Sequence, residues 1–413
     1  SGRSALLRCD AVVDGQRARF SFCDLGGRPS EAPGEGTLRF REGDWAVLNP
    51  LVGDDGEPLS AWRLVHGRLA VVDRVEAGSF ELRLMPMSFR NATFRYTHRL
   101  FVPTVGDVYT LDEMLDDLNA DKFLEACQNA DANHLYRWIE DVGEGKRPRA
   151  IRPTRLRVAA EVAAAAHRAQ APHGLTNAQL AVVGAHVEDR VLVVQGPPGT
   201  GKSHTLGFAV LARALALATP VRPFRVAVLA RTHAAATVAL ESIAKRTRQL
   251  LGLDEERLAP LAGLRLAKIC NDVTDPVPAG VGRVLARGGE ETTAPEQWHD
   301  LLQEPLLVVG GTPGGLFNLL KRGAARGGTI DWREEHFDLV VVDEASQMGI
   351  AEALTAAAVL REDGQFIAIG DHRQMPPILA HAWDEESRRD LTLARPHLAI
   401  FDYLRELGFS TVA

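Results

Sequence analysis

A glycine-rich turn between an apolar run and a helical run is the stretch of this sequence best suited to chemistry. Residues 191 to 204 read VLVVQGPPGTGKSH, and the four apolar residues at the start predict a buried strand. The turn has the spacing G-x-x-x-x-G-K-S, and the following run TLGFAVLARALALA predicts a helix. In such a turn, backbone N–H groups and the positive end of the helix dipole favour phosphate oxygens.

The residues of this turn predict a nucleotide and a divalent cation as ligands. Lys202 is placed to reach the β- and γ-phosphates of ATP, and the Ser203 hydroxyl is placed to hold Mg²⁺. The alternative is a chance glycine turn, which the flanking strand and helix argue against. The predicted nucleotide-binding residues of the turn are Gly196, Pro197, Pro198, Gly199, Thr200, Gly201, Lys202, Ser203 and His204.

Polar residues after other apolar runs complete the set that phosphoanhydride hydrolysis requires. Asp343 and Glu344, in DEASQ, follow the run LVVV; Asp343 suits the Mg²⁺ shell, and Glu344 suits orienting or deprotonating water. Gln374, in GDHRQMPP, can sense the γ-phosphate, so we predict these three residues and Lys202 as catalytic. Gln179, in LTNAQ, can pair with the edge of adenine, although the same string also reads as a capped helix start.

Five apolar runs are expected to bring these residues together. Continuous apolar strands separated by helical stretches predict a parallel sheet covered on both faces, with ligands at the carboxyl ends of its strands. The predicted strands are VLVVQ (191–195), RVAVLA (225–230), PLLVVG (305–310), FDLVVVD (337–343) and QFIAIG (365–370).

Two other regions precede this sheet. Short runs between turn residues over 1–108 predict a small β-barrel, and 109–172 predicts a helical stalk with a helix over 109–141. The sheet then occupies 173–413, with an insertion or small subdomain at about 253–304. In the barrel, arginines alternate with aromatic residues, which fits an oligonucleotide-binding face or, as we favour, an aromatic core under a solvated face. These residues are Arg39, Arg41, Arg83, Arg90, Arg95, Arg99, Phe40, Phe89, Phe94 and Tyr96.

The composition is that of a globular protein. With 46% hydrophobic and 24% charged residues in 413, two or three domains are expected. The formal net charge of −7 does not indicate nucleic acid as a partner, so such binding would need a local groove. Four scattered cysteines predict neither a disulfide framework nor a zinc site. Without a long apolar run or a signal-peptide profile, we expect a cytoplasmic protein without a membrane partner. The oligomeric state cannot be inferred.

The ordered motifs resemble those of superfamily 1 helicases. LTNAQ, GPPGTGKS, ARTHAAA, GGTP, DEASQ and GDHRQMPP are similar to the motifs of its 5′-to-3′ group, which includes the nonsense-mediated-decay helicase and senataxin-type enzymes. The resemblance covers 173–413 by motif and 1–172 only by element order. It implies a RecA-like P-loop fold and ATP-driven translocation on single-stranded DNA or RNA; sequence-neutral tracking is consistent with backbone contacts.

By motif position, the resemblance implies that five residues lie along the bound strand of DNA or RNA: Thr232, His233, Thr312, Pro313 and Pro376. Where relatives carry Pro-Ser-Asn, this chain has Arg231, Thr232 and His233, which keeps a hydroxyl and changes its neighbours.

The resemblance also implies a second RecA-like domain in the same polypeptide, with ATP between the two domains and arginine fingers on the second. Since the sequence starts without methionine and ends at LGFSTVA, we expect a fragment that binds nucleotide but hydrolyses it slowly and cannot unwind a duplex. A P-loop switch that acts on protein partners without motor activity is the alternative. A kinase or transferase is less favoured, because no acceptor site is recognisable.

Overall fold

The chain forms two compact units, Ser1–Asp121 and Lys122–Ala413. The computed structural model describes residues 4–13, 15–24, 26–30, 40, 42–51, 67–76, 79–85, 101–113, 119–151, 156–197, 199–219, 222–271, 273–286, 294–323, 329–374 and 398–413. Within those ranges, no helix is both long and apolar enough to cross a membrane.

The first unit is a closed six-stranded barrel, as predicted. Its antiparallel strands follow the order β1-β2-β5-β4-β3-β6. Alternate residues such as Phe20 and Phe80 fill the interior, and Phe40 packs against them. Arg83 is exposed and pairs with Asp73 at 3.1 Å, as expected for a solvated face; apart from Phe40, the other arginines and aromatics of that pattern lie outside the described residues. The strands are β1 Ser4–Val12, β2 Arg17–Phe22, β3 Trp45–Pro50, β4 Arg68–Glu76, β5 Ser79–Leu84 and β6 Val108–Glu113.

The helix predicted over 109–141 is wrong at its start. Val108–Glu113 is a strand that pairs with β1 on one side and β3 on the other and so closes the barrel. Tyr109 and Leu111 both point into the barrel core, which is the period of two expected of a strand. Asp112 and Glu113 lie within this strand and are paired with residues of its neighbours.

The second unit is built on an eight-stranded sheet in which every neighbouring pair is parallel. Its order is β10-β9-β11-β8-β12-β13-β7-β14. The five predicted strands occupy β7, β8, β11, β12 and β13. The strands are β7 Val191–Gln195, β8 Phe224–Ala230, β9 Leu264–Cys270, β10 Gly282–Leu285, β11 Leu306–Gly311, β12 Phe337–Asp343, β13 Leu360–Gly370 and β14 Ser410–Val412.

Helices cover both faces of this sheet, because its strands are apolar on both sides. Leu192 and Val194 face a core shared with α3, α5 and α6, whereas Val191 and Val193 face a core shared with α2, α8 and α9. The predicted α/β fold, a parallel sheet with helices on both faces preceded in the chain by a small β-barrel, is confirmed. The helices are α1 Ala120–Gln128, α2 His134–Gly143, α3 Leu156–Ala169, α4 Asn177–Leu180, α5 Lys202–Leu217, α6 His233–Leu251, α7 Ala294–Leu301, α8 Pro313–Gly323, α9 Ile350–Ala356 and α10 Ile400–Glu406.

The segment at about 253–304 differs from the expected insertion or small subdomain. It contributes β9, which pairs with β11, and β10, which pairs with β9, so it extends the central sheet. The strand LRLAKIC carries a lysine and an arginine among its apolar residues, and this charge content hid it from a search for continuous apolar runs.

Candidate nucleotide site

The predicted site residues meet at the carboxyl edge of the sheet. The strand register aligns Gln195 with Gly370, Val342 with Ala368 and Asp343 with Ala230, so β7, β13, β12 and β8 end at nearly the same level. The phosphate-loop residues follow β7, Glu344 follows β12, and Gln374 lies four residues beyond β13. This is the edge at which parallel sheets bind ligands.

The glycine turn adopts the conformation that its sequence predicts. Gly199 and Gly201 have φ angles of +80° and +81°, in the left-handed region that favours glycine, and Gly201 immediately precedes α5. A Cβ atom on Gly196 would lie 2.8 Å from the Thr200 Oγ1, so the turn closes tightly at that point. The Lys202 ammonium donates to the Gly196 carbonyl at 2.5 Å, which holds its charge inside the curve of the loop.

The two residues after Lys202 contribute differently. Ser203 lies half-buried in the first turn of α5, and its carbonyl accepts a hydrogen bond from the Ser242 hydroxyl at 2.6 Å, which ties α5 to α6. The His204 ring lies 5.3 Å from the Phe208 ring, and burial lowers the pKa of His204. With its ring packed there, what His204 can offer a phosphate is its backbone N–H.

Gln179 contacts the glycine turn directly. Its side chain donates to the Thr200 carbonyl at 3.2 Å and accepts from the Thr176 N–H at 2.9 Å. The Thr176 hydroxyl accepts from the Gln179 N–H, so the capped helix start predicted for LTNAQ is confirmed as a capping box at the start of α4. The amide of that box also reaches the glycine turn.

Asp343 is a buried carboxylate, with 6% of its surface exposed. Its pKa is raised to about 6, chiefly by burial and also by the nearby Glu344 charge, while the Glu344 N–H and the charge of Lys202 act in the opposite direction. The Glu344 N–H donates to Asp343 Oδ1 at 3.0 Å. Glu344 itself is half-buried and has a φ of +57°, which is rare for a residue with a side chain.

Gln374 is held by Asp371, a buried carboxylate at the end of β13. The Gln374 N–H donates to the Asp371 carbonyl at 3.0 Å. The Arg373 N–H holds the pKa of Asp371 below its ordinary value, together with the side-chain amides of Gln195 and Gln374 and the charge of Lys202. The charge of Lys202 thus acts on both carboxylates of this cluster, Asp343 and Asp371, and Asp371 in turn contacts Gln374.

Gln195 is a site residue that the sequence analysis missed. Its amide donates to Asp371 Oδ1 at 2.8 Å, and its Oε1 contacts His372 Nδ1 at 2.9 Å. Gln195, which directly precedes the glycine turn, thus connects the end of β7 to the loop that carries Gln374. A polar residue at the end of the apolar run VLVVQ was the available signal.

The residues predicted to contact single-stranded nucleic acid lie beside this cluster, in the segments that follow β8 and β11. The Thr232 hydroxyl accepts from the Ala235 N–H, and the Thr312 hydroxyl accepts from the Gly315 N–H, both at 3.1 Å, so each caps a helix. The Asn271 side chain contacts His233 Nε2 at 3.1 Å, and burial lowers the pKa of His233, which disfavours a charged imidazole.

Of the two prolines assigned to nucleic-acid contact, the structure describes Pro313. Pro313 is buried in the first turn of α8, so it offers a strand no exposed ring. Pro198 and Pro376 lie outside the described residues.

Comparison with family models identifies the family of this chain. A family model described as an AAA domain matches residues 174–391, just over half of the chain. Among solved structures, the chain is similar to a DEAD box protein from the hyperthermophile Methanococcus jannaschii, at 16% identity and a TM-score of 0.33. That match covers 58% of this chain and 50% of the other, so the chain spans about half of that structure. No curated protein matches the sequence.

Proposed function

We propose that this chain, which belongs to the AAA domain family, is the ATP-binding half of a helicase that moves 5′-to-3′ along single-stranded DNA or RNA. The observation that carries the proposal is the convergence of Lys202, Asp343 and Gln374 at one edge of a single parallel sheet. The motif order supports superfamily 1 and its 5′-to-3′ group as the subtype.

In this proposal, the glycine turn and the first turn of α5 bind the phosphates of ATP. The Lys202 ammonium exchanges the Gly196 carbonyl for β- and γ-phosphate oxygens, which form stronger, charge-assisted hydrogen bonds. Gln179 lies against the same loop and reads the edge of adenine with its amide.

Ser203 and Asp343 are the residues that would hold Mg²⁺. The donor set fits this cation: a hydroxyl in the first turn of α5 and a carboxyl whose raised pKa reflects desolvation, which a nearby divalent cation would offset. When bound, Mg²⁺ would neutralise charge on the phosphate oxygens.

Glu344 orients and deprotonates the attacking water. It follows Asp343 directly, so both carboxylates leave the end of β12 toward the same edge. The Gln374 amide, fixed by Asp371, contacts the γ-phosphate and loses that partner when the bond is broken. The loop after β13 would thereby respond to whether the γ-phosphate is present.

In this proposal, the single strand of DNA or RNA binds next to the nucleotide, across the first turns of α6 and α8. In both caps the threonine oxygen accepts a backbone N–H, which leaves the O–H hydrogen able to donate to a phosphate oxygen. Two helix N-termini add partial positive charge at the same edge. This local field would attract a strand despite the net charge of −7.

Full activity requires a second RecA-like domain, which the resemblance places after this one in the same polypeptide. A transition-state arginine supplied in trans is worth roughly 10³ to 10⁵ in rate. We therefore expect these 413 residues alone to bind ATP, hydrolyse it slowly and leave a duplex unopened.

The nucleotide assignment is tested by Lys202→Ala, with Lys245→Ala, an exposed lysine on α6, as the matched control. Removing the ammonium should weaken Mg²⁺–ATP binding by about 100-fold in calorimetry, because two charge-assisted bonds are lost. Equal affinity in the wild type and Lys202→Ala would remove the phosphate-loop assignment.

The proposed binding of single-stranded nucleic acid is tested with a labelled oligothymidylate and a labelled oligouridylate over a range of salt concentrations. Phosphate contacts release counterions, so affinity should fall steeply and linearly with salt on logarithmic axes. The acidic net charge favours one other function, a P-loop switch acting on protein partners. Strand binding that is absent or insensitive to salt would support that function and contradict a helicase.

A further inference from the structure

Arg231 lies on the carboxyl edge of the sheet, between the part proposed to bind the nucleotide and the part proposed to bind the nucleic-acid strand. Strand β8 pairs with β12 on one side and β11 on the other. The nucleotide residues follow β12, β13 and β7, whereas the two threonine caps follow β8 and β11. Arg231 is the first residue after β8, immediately before Thr232.

The Arg231 side chain reaches toward the nucleotide half. Its half-buried guanidinium donates from Nη1 to the Gln347 carbonyl at 3.3 Å. Gln347 ends the short helical turn Ala345–Gln347, and its N–H donates to the Glu344 carbonyl at 2.9 Å. Arg231 is therefore one hydrogen-bonded turn away from Glu344.

That turn holds Glu344 in an unfavourable backbone conformation. A φ of +57° is rarely adopted by residues with a side chain, so surrounding contacts must maintain it. On one side, the buried Ser346 hydroxyl accepts from the Asp371 N–H at 3.3 Å. On the other side, Arg231 binds the end of the turn. A strained turn with a contact on each side can respond to a change in either one.

We propose that Arg231 is a positioning residue that couples strand binding to the conformation of the Glu344 turn; this inference rests on the proposed function. A guanidinium has five N–H donors in a planar fork. The bond to the Gln347 carbonyl therefore leaves other N–H groups that can donate to a phosphate of the nucleic-acid strand beside Thr232. A phosphate held there fixes the guanidinium and, through it, the Gln347 carbonyl and the Glu344 turn.

The residue type is specific to this role. Lysine at this position would keep the charge but would lose the fork that binds a carbonyl and a phosphate together.

The coupling is measurable in the 413-residue chain as a binding linkage. The affinity of a non-hydrolysable ATP analogue with Mg²⁺ is measured without and with saturating oligothymidylate, and the ratio of the two is the coupling factor. Coupling between sites is commonly about 5- to 150-fold and is reciprocal, so strand affinity without and with the analogue should give the same factor. We expect about 10-fold in the wild type.

Three variants separate coupling from a merely structural role. Arg231→Met should reduce the coupling factor to about 1 while changing the analogue affinity without strand by less than about 2-fold. Arg231→Lys should recover strand affinity more than it recovers coupling. Arg248→Met, an exposed arginine at the far end of α6, is the matched control and should retain the wild-type factor.

Each outcome decides between the inference and the proposed function. A wild-type coupling factor in Arg231→Met overturns the inference, even if that variant melts at a lower temperature or binds both ligands more weakly. A factor of 1 in the wild type also overturns it, but leaves the proposed function intact, because both ligands still bind. Failure of the wild type to bind either ligand contradicts the proposed function itself, and the inference falls with it.

Discussion

A single buried carboxylate, Asp343, lowers the stability of the folded protein when it ionises. It is buried at the end of β12, and burial raises its pKa from 3.8 to about 6. The folded protein therefore holds this proton more tightly than the unfolded chain does. Ionisation of Asp343 costs stability progressively between about pH 4 and pH 6, and the full cost is present above that interval. A cation at this carboxylate would offset the cost.

Asp343→Asn is accordingly expected to stabilise the ligand-free protein. A pKa of about 6 against 3.8 corresponds to about 3 kcal/mol, so the free energy of unfolding near neutral pH should rise by up to that amount. Below about pH 4 the variant and the wild type should be nearly equal. Urea titrations across this interval measure the difference. A gain of the same size at every pH would show that the carboxyl does not titrate there.

Helices α6 and α8 each begin with a threonine that serves the fold and, in our proposal, the strand. Thr232 and Thr312 both cap their helices with the side-chain oxygen. Because capping uses the acceptor and strand binding uses the O–H donor, the two roles are compatible and can be separated by substitution.

Aspartate at either cap should separate the two roles. Thr232→Asp and Thr312→Asp keep a good capping oxygen, so the free energy of unfolding should change by less than about 0.5 kcal/mol, whereas alanine should cost about 1 kcal/mol. The added negative charge should weaken oligonucleotide binding by about 10-fold at low salt. Aspartate variants that bind the strand as well as the wild type would place the strand elsewhere.

Strand β9 makes the segment after α6 part of the sheet, which predicts a specific packing cost. A Cβ atom on Gly311 of β11 would lie 2.9 Å from the Cβ of Ile269 on β9, whereas one on Gly263 meets nothing within 4 Å. Gly311→Ala should therefore destabilise the protein by about 1–3 kcal/mol, and Gly263→Ala by less than about 0.5 kcal/mol. Equal melting temperatures for the two variants would mean that β9 does not pack there.

The second compact unit includes helices that the sequence analysis assigned to a stalk. Leu135, Trp138 and Ile139 of α2 lie in one core of the sheet, and Val162 of α3 lies in the other. The Asn133 amide also donates to the Leu354 carbonyl at 2.8 Å. These helices therefore stabilise the sheet unit.

Two fragments test this division. A fragment of residues 119–413 should unfold cooperatively and bind the ATP analogue with wild-type affinity, because it keeps both cores of the sheet. A fragment of residues 173–413 should fail to fold. Truncating a single large core side chain costs about 2–5 kcal/mol, and losing several exceeds the roughly 5–15 kcal/mol that holds a domain together. Calorimetry of both fragments decides; a well-folded shorter fragment would restore the stalk as a separate element.

The strands and loops of the candidate site could be predicted from the sequence because they depend on short-range patterns. Apolar runs gave the five central strands, glycine spacing gave the phosphate loop, and DEASQ and GDHRQMPP gave the carboxylates and the amide that follow β12 and β13. A parallel sheet aligns the carboxyl ends of its strands, so these separate strings had to meet at one edge.

The rest depended on contacts between distant residues. Val108–Glu113 became a strand because β1 and β3 lie on either side of it, and β9 joined the sheet through its pairing with β11. Gln195 and Arg231 make their contacts with partners far along the chain, Asp371 and Gln347. Local propensity cannot report pairing or burial that is created only when remote segments pack together.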